Sequence, residues 1–255
     1  MTPAELKGDV PVWTLVRGHE GRAQVLARFG IDYCCGGDTP LIEACSRHGV
    51  KVDDVLRAIE ENDDSGTAAD QVDWTRESMT RLVNHIVARH HAFLRRVLPM
   101  LGSLLDDVLE HHASKYPNLV EVREVYVALW DELLNHMMKE EAVLFPFIRS
   151  LDAALQSRQP PPHFHCGSMR APICVMEDEH RAAGEALNRM RALTHGFRQS
   201  KDACNAYRIL MIGLRELEAD LHLHIHKENY ILFPRAAQAE ASLADTSAAP
   251  LGIAR

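Results

Sequence analysis

The sequence predicts an all-α protein in which a small N-terminal helical domain precedes an up-and-down bundle of four long helices. Apolar residues recur at helical spacing over long stretches, and no alternating run bounded by turns indicates a strand. In addition, an eleven-residue pattern that begins at His136 returns at His224. The second part of the chain therefore consists of two similar helical hairpins.

The N-terminal domain is expected over residues 1–60. An adjacent pair, Cys34 and Cys35, is followed by two glycines in the loop after its first helix. Glycine, proline and capping signals predict helices over residues 12–29, 40–47 and 52–61. Residues 61–73 are polar and acidic, which is typical of a linker.

The bundle is expected over residues 74–238. Its four helices are predicted over residues 75–110, 118–150, 170–195 and 202–237. The proline-rich loop between the hairpins carries His163, His165 and Cys166, which either form a flexible polar loop or bind metal adventitiously. Residues 239–255 are rich in alanine and serine and are expected to be a disordered tail.

The composition excludes several classes of protein. Of the 255 residues, 46% are hydrophobic and 25% are charged, as in a globular protein. A net charge of −8 without a basic patch argues against nucleic acid as a partner. No apolar stretch reaches the ~20 residues of a membrane span, and no secretory core begins the chain, so we expect a cytoplasmic protein. Six irregularly spaced cysteines fit reduced thiols.

Each copy of the repeated pattern carries a histidine and a glutamate four residues apart. These pairs are His136 with Glu140 and His224 with Glu228. Residues at this spacing share one helix face, so two facing helices could present both pairs to one interior point. Most single pairs of this kind are solvated. Here, however, leucines on the same faces indicate burial, and a buried carboxylate is costly unless it is paired or binds metal.

A further histidine precedes each copy at a similar distance. His180 lies 44 residues before His224, whereas His91 lies 45 residues before His136, so spacing alone leaves His90 and His91 both open. The total of four histidines and two glutamates suits a dinuclear site. Iron is the usual metal of such a site in a four-helix bundle, and two glutamates can bridge two ions.

The two-hairpin pattern resembles the hemerythrin-like family of di-iron four-helix bundles. Together with the sequence Asp-Tyr-Cys-Cys-Gly-Gly around Cys34 and Cys35, it resembles the iron–sulfur cluster repair proteins, also called the repair of iron centres family. The resemblance implies two non-haem irons, with oxo and carboxylate bridges, that act in repair of clusters after nitrosative or oxidative damage. Iron donation, nitric oxide binding and nitric oxide reduction are the implied activities.

The resemblance also implies roles for particular residues. The cysteine pair would handle redox equivalents or iron, although two cysteines packed at a turn is the alternative. Nitric oxide or dioxygen would be the small ligand and damaged iron–sulfur proteins the clients, and a homodimer is left open. The implied metal ligands are His91, His136, Glu140, His180, His224 and Glu228.

Two positions depart from an oxygen-carrying hemerythrin, which has a histidine where Gly184 stands and an aspartate where Asn229 stands. One histidine fewer favours exchangeable ligands over reversible oxygen storage. A protein that binds or senses nitric oxide or oxygen without turnover is the main alternative. A ferritin-like ligand pair, Glu177 with His180, is a minor one.

Overall fold

The predicted all-α fold is confirmed. A computed structural model describes residues 8–64, 72–157, 167–199 and 202–248, and these residues contain helices but no strand. The N-terminal module contains α1 (Val12–Val16), α2 (Gly21–Arg28), α3 (Leu41–His48) and α4 (Val52–Asp64). The bundle contains α5 (Met79–His85), α6 (Ala92–His112), α7 (Leu119–Lys139), α8 (Phe145–Ser157), α9 (Arg170–Leu193), α10 (Asn205–Lys227) and α11 (Phe233–Ala248).

Three of the four long bundle helices are interrupted by a π-helical turn. These turns join α5 to α6, α7 to α8 and α10 to α11, and they cover Ile86–His91, Glu140–Leu144 and Glu228–Leu232. The fourth long helix is α9. In one half of the bundle α7 packs against α9 and α6 against α10, while α8 packs against α5 and α11 in the other half. No helix in the described part of the chain is both long enough and apolar enough to cross a membrane.

The single helix expected over residues 12–29 is wrong. The chain leaves helical geometry after α1 and re-enters it at α2, and Gly18 between them has a φ of +77°. Only glycine adopts this left-handed conformation without strain, so it marks a turn. The break lets α1 lie beside the loop that carries the cysteine pair, since the backbone N–H of Trp13 donates to the carbonyl of Gly37.

Two expected boundaries also differ. Helix α4 continues to Asp64, and α11 continues to Ala248, so the first part of the expected tail is helical. Ala236, Ala239 and Leu243 recur at helical spacing and are buried, which explains why an alanine-rich segment remains helical here. Residues 65–71, 249–255 and the loop with His163, His165 and Cys166 lie outside the described residues.

The apolar interior forms two clusters. One joins the N-terminal module to the α6, α7 and α10 part of the bundle, and the other fills the end formed by α5, α8 and α11. Along α7 and its π turn, Met137 belongs to the first cluster and Leu144 to the second, while Glu140 between them is fully buried. A layer of ionisable side chains therefore divides the core.

Candidate metal centre

The six residues named in the sequence analysis meet in this layer. Their side chains form two groups, and within each group one ligand atom per residue lies within 4.8 Å of the others. The first group is His91, Glu140, His224 and Glu228, and the second is His136, Glu140, His180 and Glu228. The two glutamates belong to both groups, so the arrangement is that of two adjoining donor sets.

The histidine nitrogens converge in pairs. His91 Nε2 lies 3.2 Å from His224 Nε2, and His136 Nε2 lies 3.0 Å from His180 Nε2. Each pair combines one histidine from each hairpin. Since His90 belongs to neither group, the geometry places His91, and not its neighbour, at the centre.

Each glutamate directs one oxygen to each histidine pair. Glu140 Oε2 lies 3.3 Å from His91 Nε2, and its Oε1 lies 3.4 Å from His136 Nε2. Glu228 Oε1 lies 3.0 Å from His224 Nε2, and its Oε2 lies 3.1 Å from His180 Nε2. Two nitrogens and two oxygens thus face each of two points, which suits bridging carboxylates between two ions.

The donor atoms fit metal ions. Glu140 is fully buried, yet neither of its oxygens has a hydrogen-bond partner among the described residues. Burial and Glu228 push the pKa of Glu140 upwards, but the charge of His136 and the close ring nitrogens of His136 and His91 together lower it. Burial lowers the pKa of His136, whereas Glu140 and Glu228 raise it to about 10. The centre therefore favours positive charge, which protons or metal ions can provide.

The outward nitrogens of three of these histidines are anchored. His91 Nδ1 lies 2.6 Å from Glu141 Oε1, His136 Nδ1 lies 2.8 Å from Glu179 Oε2, and His180 Nδ1 lies 2.7 Å from Asn229 Oδ1. A proton on Nδ1 that is donated to these oxygens leaves the Nε2 lone pair facing the centre, as a metal ligand requires.

Two of these acceptors occupy matching positions in the repeat. Glu141 follows Glu140, Asn229 follows Glu228, and each binds the histidine from the first helix of its own hairpin. In the sequence, Asn229 stands out only as a departure from oxygen carriers, and Glu141 is not among the candidate residues. The repeat could have indicated these two acceptors, because each copy has a polar residue directly after its glutamate.

A buried network of polar side chains lies behind His224. The ring of His90 stacks on that of His224 with centroids 5.3 Å apart, and His90 Nδ1 lies 3.0 Å from Asp220 Oδ2. Lys227 Nζ donates to His90 Nε2 at 3.1 Å and lies 2.9 Å from Glu20 Oε1 of the N-terminal module. Residue spacing could not predict these contacts, because they join segments that are distant in the sequence.

The cysteine pair lies against helix α9. Asp32 shapes its loop by accepting the backbone N–H groups of Cys34, Cys35 and Gly36 at 2.8, 3.0 and 2.8 Å. The two Sγ atoms are 3.4 Å apart, and the Cys35 thiol lies 3.5 Å from the carbonyl oxygen of His180. The pair is therefore next to a residue of the centre, although neither sulfur belongs to the two donor sets.

Gly184 makes room for this contact. A Cβ atom at this position would lie 2.5 Å from Cys35 Sγ. The position at which an oxygen carrier has a histidine thus receives the N-terminal module instead.

Glu177, the alternative partner of His180, is not a member of either donor set. Three further histidines on the long helices, His85, His222 and His226, are not members either. Glu132 lines a cavity of about 10 Å³ beside His136, His180 and His224. Among the other cysteines, Cys45 is buried, whereas Cys174 is exposed because it lies on the outer face of α9.

Residues 82–236 match the family model of the hemerythrin HHE cation binding domain, and residues 9–63 match that of a domain of unknown function, DUF542. The iron-sulfur cluster repair protein YtfE of Pectobacterium carotovorum is 34% identical over 86% of this chain and 93% of its own. The same-named protein of Salmonella paratyphi B is 33% identical over 91% and 98%. A probable iron-sulfur cluster repair protein of Haemophilus influenzae is 31% identical over 84% and 91%.

The two family models match both modules of the chain, and the three relatives align with it over nearly their own full length. The buried histidine and glutamate residues lie within the segment that the cation-binding family model covers. The chain belongs to the hemerythrin HHE family and, within it, to the iron–sulfur cluster repair proteins.

Proposed function

We propose that this chain repairs iron–sulfur clusters damaged by nitrosative or oxidative stress, and that it does so with a non-haem di-iron centre. The observation that carries the proposal is the pair of buried donor sets joined by Glu140 and Glu228, in a chain similar to repair proteins. His91 and His224 would hold one iron, and the remaining histidine pair the other. When bound, the irons would supply open positions for nitric oxide and iron for a damaged cluster.

The burial of the centre limits what can reach it. The side chains of His136 and His180 are 4% exposed, and that of Glu228 is fully buried. A cluster held by another protein cannot enter, whereas the adjoining cavity of about 10 Å³ has room for about one water-sized molecule. Nitric oxide or dioxygen is therefore the proposed small ligand, and damaged iron–sulfur proteins are clients that meet the outer surface.

The cysteine pair is the proposed redox or iron-handling element. Cys35 is partly exposed and touches the His180 backbone, while Cys34 is fully buried behind it. This position links the surface of the N-terminal module to the edge of the centre. Two sulfurs 3.4 Å apart can also be oxidised to a disulfide with each other, whereas a lone thiol has no such partner.

The test is recovery of a [4Fe–4S] dehydratase inactivated by nitric oxide, with the iron content of the repair protein measured in parallel. We expect the native protein to hold about two irons and to restore activity, and Glu228→Ala to lose both properties. Glu185→Gln, a change at an exposed position on α9 outside both donor sets, is the matched control. Full repair by Glu228→Ala would contradict the di-iron proposal.

A second candidate function is binding or sensing of nitric oxide or oxygen without turnover. The enclosed cavity favours it, because a site with so little room can retain a diatomic molecule without admitting other reactants. Nitric oxide should be supplied in large excess under reducing conditions and nitrous oxide counted per chain. Many equivalents would indicate an enzyme, and about one equivalent or less would indicate a binding protein.

A further inference from the structure

A cavity of about 490 Å³ lies where the N-terminal module meets the bundle. Its walls come from α1 and the residue that follows it, from the cysteine loop, from α9, from the π turn over Glu228–Leu232 and from the first part of α11. Pockets of ~300–1,000 Å³ hold small organic molecules. Its wall contains no residue of the two donor sets. It does contain Asn229, which accepts from His180.

The cavity presents both signs of charge. Its lining includes Arg17, Arg181 and Arg235 as well as Asp38 and Glu177. The Arg235 guanidinium donates to two backbone carbonyls and one Arg181 nitrogen donates to a neighbouring aspartate, so Arg17 and the rest of the Arg181 guanidinium are left to meet the carboxylates of a ligand. A phosphate or a simple dicarboxylate would leave Asp38 and Glu177 facing like charge. A small zwitterionic molecule with two carboxylates and an ammonium group matches the set better, because guanidinium groups bind carboxylates through paired, charge-assisted hydrogen bonds.

One wall is aromatic. The rings of Trp13 and Tyr230 stack with centroids 5.1 Å apart at an interplanar angle of 6°, and the Arg17 guanidinium lies 5.4 Å from the Trp13 ring centroid. An aromatic wall suits planar amide groups, which favours a ligand that contains peptide bonds.

The reactive atom of the wall is Cys35 Sγ. Cys34 does not line the cavity, and burial raises its pKa well above the ordinary value. An incoming disulfide would therefore meet Cys35 first, with the second sulfur held 3.4 Å behind it. This order, an accessible attacking thiol and a resolving thiol, is the arrangement that thiol–disulfide exchange needs.

We propose that this cavity binds a small zwitterionic peptide thiol or its disulfide, and that Cys35 exchanges with it. In the oxidising direction Cys35 forms a mixed disulfide and releases one thiol, which takes the cysteine proton. Cys34 then displaces the second thiol and closes a disulfide with Cys35. Two electrons pass from the protein pair to the ligand disulfide, and two molecules of the thiol reverse the reaction. The proposal rests on the redox role proposed above for the pair.

A vicinal disulfide is strained and therefore readily reduced. The pair would accordingly remain reduced while the small thiol is plentiful and become oxidised when its disulfide accumulates. Repair would then respond to the thiol balance around the protein.

The experiment uses the iron-loaded protein and two disulfides, glutathione disulfide as the zwitterionic probe and bis(2-hydroxyethyl) disulfide as the uncharged one. Mass spectrometry of peptides gives the rate of modification at Cys35, with exposed Cys174 as an internal reference. We expect glutathione disulfide to react faster at Cys35 than at Cys174. Cys34→Ser should accumulate the mixed disulfide, because the resolving sulfur is missing.

Charge recognition is tested with Arg17→Gln and Arg181→Gln, both exposed positions whose change the fold should tolerate. Each change should slow the reaction of glutathione disulfide at Cys35 about tenfold, because one charge-assisted hydrogen bond to the ligand is lost. The rate with the uncharged disulfide should not change. Arg47→Gln, which removes an exposed arginine outside the cavity, should affect neither rate.

Equal reaction of both probes at Cys35, or equal slowing of both by the arginine changes, would overturn the proposed site. Iron content and cluster repair are measured on the same samples. If repair persists while charge selectivity is absent, only this inference fails. If iron is absent but charge-selective exchange occurs, the proposed di-iron function fails and the thiol site stands.

Discussion

Lys227 Nζ of the bundle lies 2.9 Å from Glu20 Oε1 of the N-terminal module, and the Lys227 side chain is only 2% exposed. Burial lowers the pKa of Lys227, while Glu20 opposes that shift. A buried ammonium group thus depends on a carboxylate from the other module. This ion pair ties the docking of the N-terminal module to the polar residues behind His224.

Glu20→Ala should destabilise the protein by about 1–3 kcal/mol, because it leaves a buried ammonium without its carboxylate while Glu20 itself is partly solvated. Urea denaturation measures the change. Glu43→Ala, which removes the partner of exposed Arg47, is the matched control and should cost about 0.5 kcal/mol or less. Equal losses of stability in the two variants would show that the ion pair between Glu20 and Lys227 contributes no more than an exposed one.

Glu140→Ala should empty or cripple the metal centre, because Glu140 supplies an oxygen to both donor sets. The iron content of protein purified without oxygen, measured by elemental analysis, should fall from about two irons per chain to less than one. Glu132→Ala, a change on the same long helix outside both donor sets, should retain the metal. Full iron loading of the Glu140→Ala protein would refute the assignment.

Asn229→Leu should weaken iron binding about 10- to 100-fold, because His180 then loses the acceptor that orients its ring. Asn229→Asp keeps an acceptor oxygen and should bind iron nearly normally. The rate at which a chelator removes iron distinguishes them. If the leucine and aspartate variants lose iron at the same rate, the hydrogen bond does not orient the ligand.

Removal of the metal should lower the thermal stability, since the metal-free centre leaves buried polar atoms such as those of Glu140 without partners. At metal concentrations 100- to 1,000-fold above the dissociation constant, binding adds about 2.7–4.1 kcal/mol. Calorimetry before and after chelation, with iron added back, measures the difference. An unchanged melting temperature would mean that the folded and unfolded chains bind the metal equally.

Gly184→Ala should displace the cysteine loop, because the new Cβ would lie 2.5 Å from Cys35 Sγ. Overpacking of this kind typically costs about 1–3 kcal/mol. We expect faster alkylation of Cys35 and unchanged iron content. Ala182→Ser, on the exposed face of the same helix, should change neither. Unaltered Cys35 reactivity in the Gly184→Ala protein would show that the loop does not depend on this close approach.

Residues of both donor sets could be predicted from the sequence because helical geometry fixes the spacing of His136 with Glu140 and repeats it at His224 with Glu228. Spacing could not choose between His90 and His91. The π turns could not be read, since a one-residue change of helical register leaves no mark in composition. The contact between Cys35 and His180 joins residues 145 positions apart, and only the packing of the two modules determines it. Alanine-rich composition misled the expectation for the tail, because packing, and not composition, decides whether α11 continues.

The sharing of Glu228 by both donor sets has a consequence for synthesis of the protein. The first hairpin brings only His91, His136 and Glu140, and both sets remain incomplete until the last long helix has left the ribosome. Chains fold from the N-terminus as they are made. A chain that ends before Glu228 therefore cannot assemble either complete donor set, and metal acquisition becomes a late step in synthesis.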